Sequence, residues 1–214
     1  MALFGALLGF AYLTTFPSRA FSSQKEYEAS LKKAEEAGDA SPAPKPGDAY
    51  SIEGAILPTR TWEAKRQQLA TPGARTVKFS EGELNAWMSA KFRPGMPAAG
   101  NDEPSVLIVP GVPNFAMTEA GTLYLNLPTT ITAYGSKNEF AVSARCLADG
   151  SGIQIATVQV SSAKVPFPNL LGREILATLS KGFQSTEEYS IISEALARAE
   201  SVEVVGGELV LELR

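Results

Sequence analysis

Apolar residues fall into three regimes along the chain: one unbroken N-terminal run, stretches with a period near 3.6, and stretches with a period of 2. The run is Met1 to Phe16, MALFGALLGFAYLTTF, uncharged and almost wholly apolar, closed by Pro17 and Arg19. It falls slightly short of the roughly 17 to 25 residues of a spanning helix, yet it is too apolar for an exposed terminus. No Lys or Arg precedes it, and Pro17-Ser18-Arg19-Ala20 is a poor cleavage site. An uncleaved anchor over residues 1–21 is therefore expected ahead of a signal peptide or a buried soluble helix. Residues 22–48 read as a polar helix, Ser22 to Ala37, and a Pro/Ala/Gly linker, Gly38 to Gly47, too poor in apolar groups to pack. Residues 49–214 form the expected domain.

Within that domain the periods alternate. A short helix over Thr59 to Leu69 is broken by Thr71-Pro72-Gly73. Thr76 to Phe79 alternates like a strand, and Ser80-Glu81-Gly82-Glu83 is a capping box opening a helix. On that helix Leu84, Trp87, Met88 and Phe92 share one face, which should be buried. After a Pro/Gly-rich loop from Pro94 to Pro104 come Val106 to Val109 and then the Phe115/Met117 alternation. Next, Leu123, Leu125, Leu127, Ile131 and Ala133 hold one phase, with Tyr124, Asn126, Thr130, Thr132 and Tyr134 in the other. One apolar and one polar face mark an antiparallel sheet, its polar side expected in water.

Turn signals at Gly135 to Asn138 and Asp149 to Gly152 frame a strand whose apolar phase is Phe140, Val142, Ala144 and Cys146. In the following strand the phase slips from Ile153 and Ile155 to Val158 and Val160, which predicts a β-bulge near Ala156-Thr157. Pro166-Phe167-Pro168 ends the meander. Leu171, Ile175, Leu179 and Phe183 then mark one amphipathic helix, and a second follows a cap near Ser185 to Glu188. Val202 and Val204, a Gly206-Gly207 turn, and Leu209, Leu211 and Leu213 predict a terminal hairpin. The expected fold class is α+β: a curved antiparallel β-meander packed against amphipathic helices, with an N-terminal anchor helix.

Composition narrows the chemistry. The net charge is −4 and no basic stripe exists, which argues against nucleic acid. Histidine is absent, removing the commonest general base, the Ser-His and Cys-His pairs and imidazole metal sites. With a single cysteine, Cys146, neither an internal disulfide nor a thiolate zinc cluster can form. Ser161-Ser162-Ala163-Lys164 matches S-x-x-K, but the S-D-N and K-T-G partners are missing, and a polar sheet edge is the better reading. The aspartates fall in linkers and turns, as solvated groups do. No enzyme, metal or cofactor is expected.

The segment Phe79 to Trp87, with Glu81-x-x-Leu84-Asn85, resembles the helix start of small membrane-tethered bacterial envelope proteins. Val165-Pro166-Phe167-Pro168-Asn169-Leu170-Leu171 and the terminal Val-Gly-Gly-Glu-Leu-Val-Leu stretch are similar to their closing part. Some of these proteins are related to tubular lipid-binding (TULIP-like) domains. The resemblance implies a single-pass tether with the domain on the extracytoplasmic side, and lipid as ligand. Two readings follow. In one, Leu84, Trp87, Met88, Leu123, Leu125, Ile131, Phe140, Val142, Leu171 and Ile175 line a groove for lipid or another apolar ligand at the cell envelope. In the other, the core is closed and the domain is a structural or interaction module of a membrane complex, with Tyr124 and Arg145 on its partner face.

Overall fold

Regular alternation in the middle of the chain yields a long hairpin around which everything else is arranged. The computed structural model describes residues 2–38, 50–92, 106–134, 136–148, 150, 152–184 and 186–214. Helix α1 (Ala2–Thr14) leads into strand β1 (Arg19–Phe21) and helix α2 (Gln24–Glu36). Strand β2 (Tyr50–Ile52), helix α3 (Trp62–Ala70), strand β3 (Arg75–Ser80) and helix α4 (Glu81–Lys91) come next. Strands β4 (Val106–Pro110), β5 (Asn114–Met117), β6 (Thr122–Ala133), β7 (Ser136–Ala148), β8 (Ile153–Val160) and β9 (Ala163–Lys164) follow. A π-helical turn at Pro168–Gly172 opens helix α5 (Arg173–Ser180), a 3-10 turn at Lys181–Phe183 closes it, and helix α6 (Glu187–Arg198) leads to the hairpin β10 (Ala199–Val205) and β11 (Glu208–Leu213). Helices and antiparallel strands are segregated in the manner of an α+β fold.

The large sheet runs β4-β6-β7-β8-β9, with β5 following β4 along the same edge of β6. Arg145 pairs with Thr157 and Cys146 with Ile155, so Ala156 is the extra residue of a bulge where the phase slip predicts one. A second sheet, β10-β11-β3, places the terminal strand at its centre. Its turn residues Gly206 and Gly207 have φ of 60° and 78°, the left-handed pair that a two-residue hairpin of primed type needs. The main core lies between the two sheets and α4, α5 and α6, and includes Val77, Phe79, Trp87, Leu123, Val142, Val158, Phe183 and Leu211. The capping box forms in full: Ser80 Oγ accepts from the Glu83 amide while Glu83 accepts from the Ser80 amide.

Three expectations change. The expected anchor over 1–21 is not one helix: α1 is 13 residues, and Arg19–Phe21 pair in parallel with Tyr50–Ile52, so the end of that segment belongs to the domain. Among the described residues no helix is long and apolar enough to cross a membrane. The second change concerns the inner part of the polar phase of β6, where Tyr124 and Asn126 do not face water. The β1–β2 ribbon covers it, packing Ile52 against Tyr124 and Ala116. Third, Leu171 sits in the π-helical turn and is 43% exposed, because Phe167 at φ 53° swings the chain before α5 begins. The polar helix expected over 22–37 is α2, capped by Ser23. The linker beyond Gly38, the 94–104 loop and turn residues Gly135, Asp149, Ser151 and Ser185 lie outside the described residues, save that Gly38 itself is described.

Candidate functional site

Two hollows flank the outer half of the β6–β7 hairpin, one on each face of the sheet. The first continues the core face. It is an apolar groove of about 530 Å³ lined by Ile108, Ile131, Phe140, Val142 and Val160 from the sheet, Ile175 and Leu179 from α5, and Phe10 and Ala11 from α1. The register explains the assembly: Ile131 pairs with Ile108 and Val142 with Val160, so neighbouring strands present apolar side chains in rows on one face. Helix α1 closes one flank through Phe10, while Leu7, Leu8, Tyr12 and Phe16 remain exposed. The helix is anchored where it ends: the Ser162 amide donates to Phe16 O (3.0 Å) and Ser162 Oγ to Pro17 O (3.0 Å).

The ten residues expected to line such a groove therefore divide. Ile131, Phe140, Val142 and Ile175 do line it. Leu84, Trp87, Met88 and Leu123 are buried in the closed core, Leu125 packs against that core, and Leu171 lies outside the groove on the surface. Trp87 is 1% exposed and stacks with Phe79 and Trp62, ring centroids 5.5 and 6.4 Å away, and its Nε1–H donates to the Glu188 carboxylate at 2.8 Å. Glu188 is itself buried and accepts from Arg66 Nε through both oxygens, at 3.0 and 2.8 Å. A ring buried this fully and bonded at its polar atom leaves no surface for a ligand. Phe10 and Thr14 were not expected at the groove, since the anchor reading removes the first 21 residues from the domain; Ile108 and Val160 stand in apolar phases and were legible.

The second hollow lies on the opposite face, beneath the ribbon. It is a cleft of about 630 Å³ with a polar lining that includes Ser51, Glu53, Asn126, Thr130, Ser143 and Ser161. Asn126 and Ser143 are paired across β6 and β7, and Ser143 is paired in turn with Gln159 on β8. The amides at the two ends of this row clamp β2: Asn126 Nδ2 donates to Ile52 O and Gln159 Nε2 to Tyr50 O (2.7 Å). In the middle, Asn126 Oδ1 and Ser143 Oγ are buried with no hydrogen-bond partner among the described residues. Nothing in the polar phase alone separates these two from ordinary solvated residues; the nearer strand of the ribbon that covers them reaches Asn126 from Ile52, 74 residues upstream.

The expected partner-face pair also separates. Arg145 is exposed, whereas Tyr124 is buried under Tyr50, and the two share the wall of a small hollow of about 150 Å³. Burial, with Tyr50 beside it, raises the Tyr124 phenol above its ordinary range. Burial likewise pushes the Cys146 thiol up to about 11, which makes it a small apolar core residue with little thiolate. Ser161 and Lys164 of the S-x-x-K tetrad line different hollows, Ser161 the polar cleft and Lys164 the one beside Arg145. Among the described residues no three His, Cys, Asp or Glu side chains are grouped to hold a metal ion. Comparison with protein-family models, curated proteins and solved structures finds no match for this chain.

Proposed function

We propose that this protein is a membrane-tethered, non-catalytic domain of the cell envelope that holds the acyl chain of a lipid in the groove between α1, α5 and the large sheet. The observation that carries the reading is the groove itself, an apolar trough bordered by a helix that is apolar on every side. Helix α1 lines the groove through Phe10, Ala11 and Thr14 and exposes Leu7, Leu8 and Tyr12, with Phe16 exposed just beyond its end. Contiguous apolar surface of this kind marks a membrane or ligand contact, because leaving it in water costs roughly 25 cal/mol per Å². A helix of 13 residues spans only about 20 Å, so in this reading α1 dips into the bilayer surface and presents the groove to lipid. The bulge at Ala156 supports the curved sheet that the TULIP-like resemblance implies.

The test uses the full chain, because β1 belongs to the fold. Protein floated with vesicles of mixed bacterial phospholipids is recovered and examined by native mass spectrometry. Ile131→Trp, which fills the groove from the sheet side, should leave flotation intact and remove the lipid-sized adducts. Absence of any adduct from the parent protein would refute the reading. The closed core around Trp87 favours one alternative, an interaction module in which a membrane protein covers α1 and the groove; flotation only in the presence of other membrane proteins would turn the reading that way.

A further inference from the structure

We propose that the loop from Pro166 to Leu171 is a second membrane-contact element, an apolar wedge that enters the surface of the lipid bilayer beside α1. The inference rests on the membrane-tether part of the reading above and not on the acyl groove. Three large apolar side chains stand out of this loop: Phe167 is 73% exposed, Leu170 65% and Leu171 43%. Leu171, Ile175 and Leu179 recur at helical spacing, yet only the later two are covered, Ile175 in part and Leu179 fully. The outward face begins where the loop begins.

The backbone holds these side chains out. Phe167, set between Pro166 and Pro168, has φ 53°, a left-handed conformation that costs a bulky residue on the order of 1–3 kcal/mol. Its carbonyl accepts from the Leu170 and Leu171 amides, both at 2.9 Å, so the loop closes on itself. Just before it, the Val165 amide donates to Val158 O at 2.8 Å. Just after it, Gly172 sits so close to Val158 that an added Cβ would lie 2.6 Å from Cγ2. Both ends are fastened to one residue of β8, and strain kept at an exposed aromatic points to a use for that aromatic.

Three observations select a bilayer as the occupant. The chain meets α1 on either side of the loop: Ser162 bonds Phe16 O and Pro17 O at the end of that helix, and Ile175 shares the groove wall with Phe10. The loop therefore belongs to the same neighbourhood as the exposed apolar residues of α1. Lys164 and Arg173, both exposed, bracket the loop in sequence, and cations beside an apolar wedge suit anionic headgroups. Size argues the same way. A stable protein interface buries about 800 Å² on each partner, more than three side chains offer, whereas a bilayer accepts a small wedge.

A dye on the full chain tests the contact. Asn169→Cys, between the wedge residues, is labelled with nitrobenzoxadiazole; Cys146 is 6% exposed with its thiol raised to about 11, so it stays unlabelled. On vesicles of phosphatidylethanolamine and phosphatidylglycerol the emission should rise and move to the blue, and nitroxide groups on the acyl chains should quench it. The same dye on Val205→Cys, a position 56% exposed on the small sheet, should stay in water. Phe167→Asn removes the ring but suits the left-handed backbone, so the urea midpoint should hold or rise while vesicle affinity falls about tenfold. A dye at 169 that stays in water on floated protein, or vesicle binding by Phe167→Asn equal to the parent, overturns the proposal and leaves the tether standing. A dye that leaves water only when other membrane proteins are present overturns it in favour of a protein partner. Protein that does not float at all removes the tether and the wedge together, while missing lipid adducts with insertion intact remove the acyl groove alone.

Discussion

Glutamate 188 fixes whether the face behind Trp87 is core or pocket, and its replacement is the sharpest test of the fold. Its carboxylate binds Arg66 Nε through both oxygens and accepts from Trp87 Nε1, tying α6 to α3 and α4 in one buried contact. Glu188→Gln keeps the shape and one acceptor but removes the charge. Breaking a buried pair on one side costs about 3–5 kcal/mol, because the partner charge is left uncompensated. Here the cost is smaller. The Arg66 side chain is 21% exposed and keeps Glu187 at 3.0 Å, so about 2–3 kcal/mol is expected for Glu188→Gln. Glu188→Ala also strands the buried indole N–H and should cost about 1–2 kcal/mol more. Against a typical total of roughly 5–15 kcal/mol, these are large losses.

Urea unfolding followed by far-ultraviolet dichroism measures both variants, and Arg66→Met completes a double-mutant cycle. A coupling of about 2 kcal/mol between positions 66 and 188 is expected. A loss below about 0.5 kcal/mol for Glu188→Gln, or additive single effects, would refute the reasoning. Trp87 would then have to be reconsidered as a residue facing an open cavity.

Two further outcomes follow from single contacts. Burial opposes ionisation of Glu83, but bonds from Lys65, Thr61 and the Ser80 hydroxyl and amide outweigh it and hold the carboxyl down at about 2 against an ordinary 4.5. A depressed carboxyl stabilises above its unfolded value, so this contribution is complete above pH 4.5 and is lost as pH falls from 4.5 to about 2. After discounting for the partial exposure of Lys65, Glu83→Gln should flatten the acid limb of urea stability by about 1–2 kcal/mol; parallel limbs would contradict it. At Gly54 an added Cβ would sit 1.9 Å from Phe115 O, and the residue exchanges two hydrogen bonds with Asn114 at 2.8 and 2.9 Å. Gly54→Ala should therefore loosen the ribbon at a cost of about 1–3 kcal/mol, with faster amide exchange at Ile52; unchanged exchange would show that the ribbon is not held there.

What could be read from the chain was local. The Ser80/Glu83 box, the Ala156 bulge and the Gly206-Gly207 turn each rest on a few adjacent residues, and each is found where its residues place it. Tyr124 shows where locality ends. The alternation places it in the polar phase of β6, but parity says only which residues share a face, never what covers it. The cover is a parallel pairing of Arg19–Phe21 with Tyr50–Ile52, two three-residue strands too short to carry a period, one of them hidden in a segment whose composition suggests a membrane. Trp87 shows a second limit. A stripe at helical spacing fits a core and a groove equally well, and the deciding fact is a carboxylate 101 residues further on.

Both hollows share a cause in the length of the hairpin. Strands β6 and β7 have 12 and 13 residues, each reaching about 40 Å, which is more than a core built from three-turn helices can cover. Their inner halves, Leu123 to Leu127 and Val142 to Cys146, carry the core. The outer halves run past the end of β8 at Val160, and there the burial pattern loosens until Tyr134 at the tip is 87% exposed. A strand alternates its side chains whether or not anything packs on them, so the overhang keeps an apolar row, Ile131 and Phe140, and a polar row, Thr130 and Glu139, with only α1, α5 and the ribbon to cover them. An overhang maintained for structure alone would be expected to carry polar residues on both faces. Ile131 and Phe140 are instead apolar where the core no longer needs them, and that excess is what the proposed acyl-chain reading would account for.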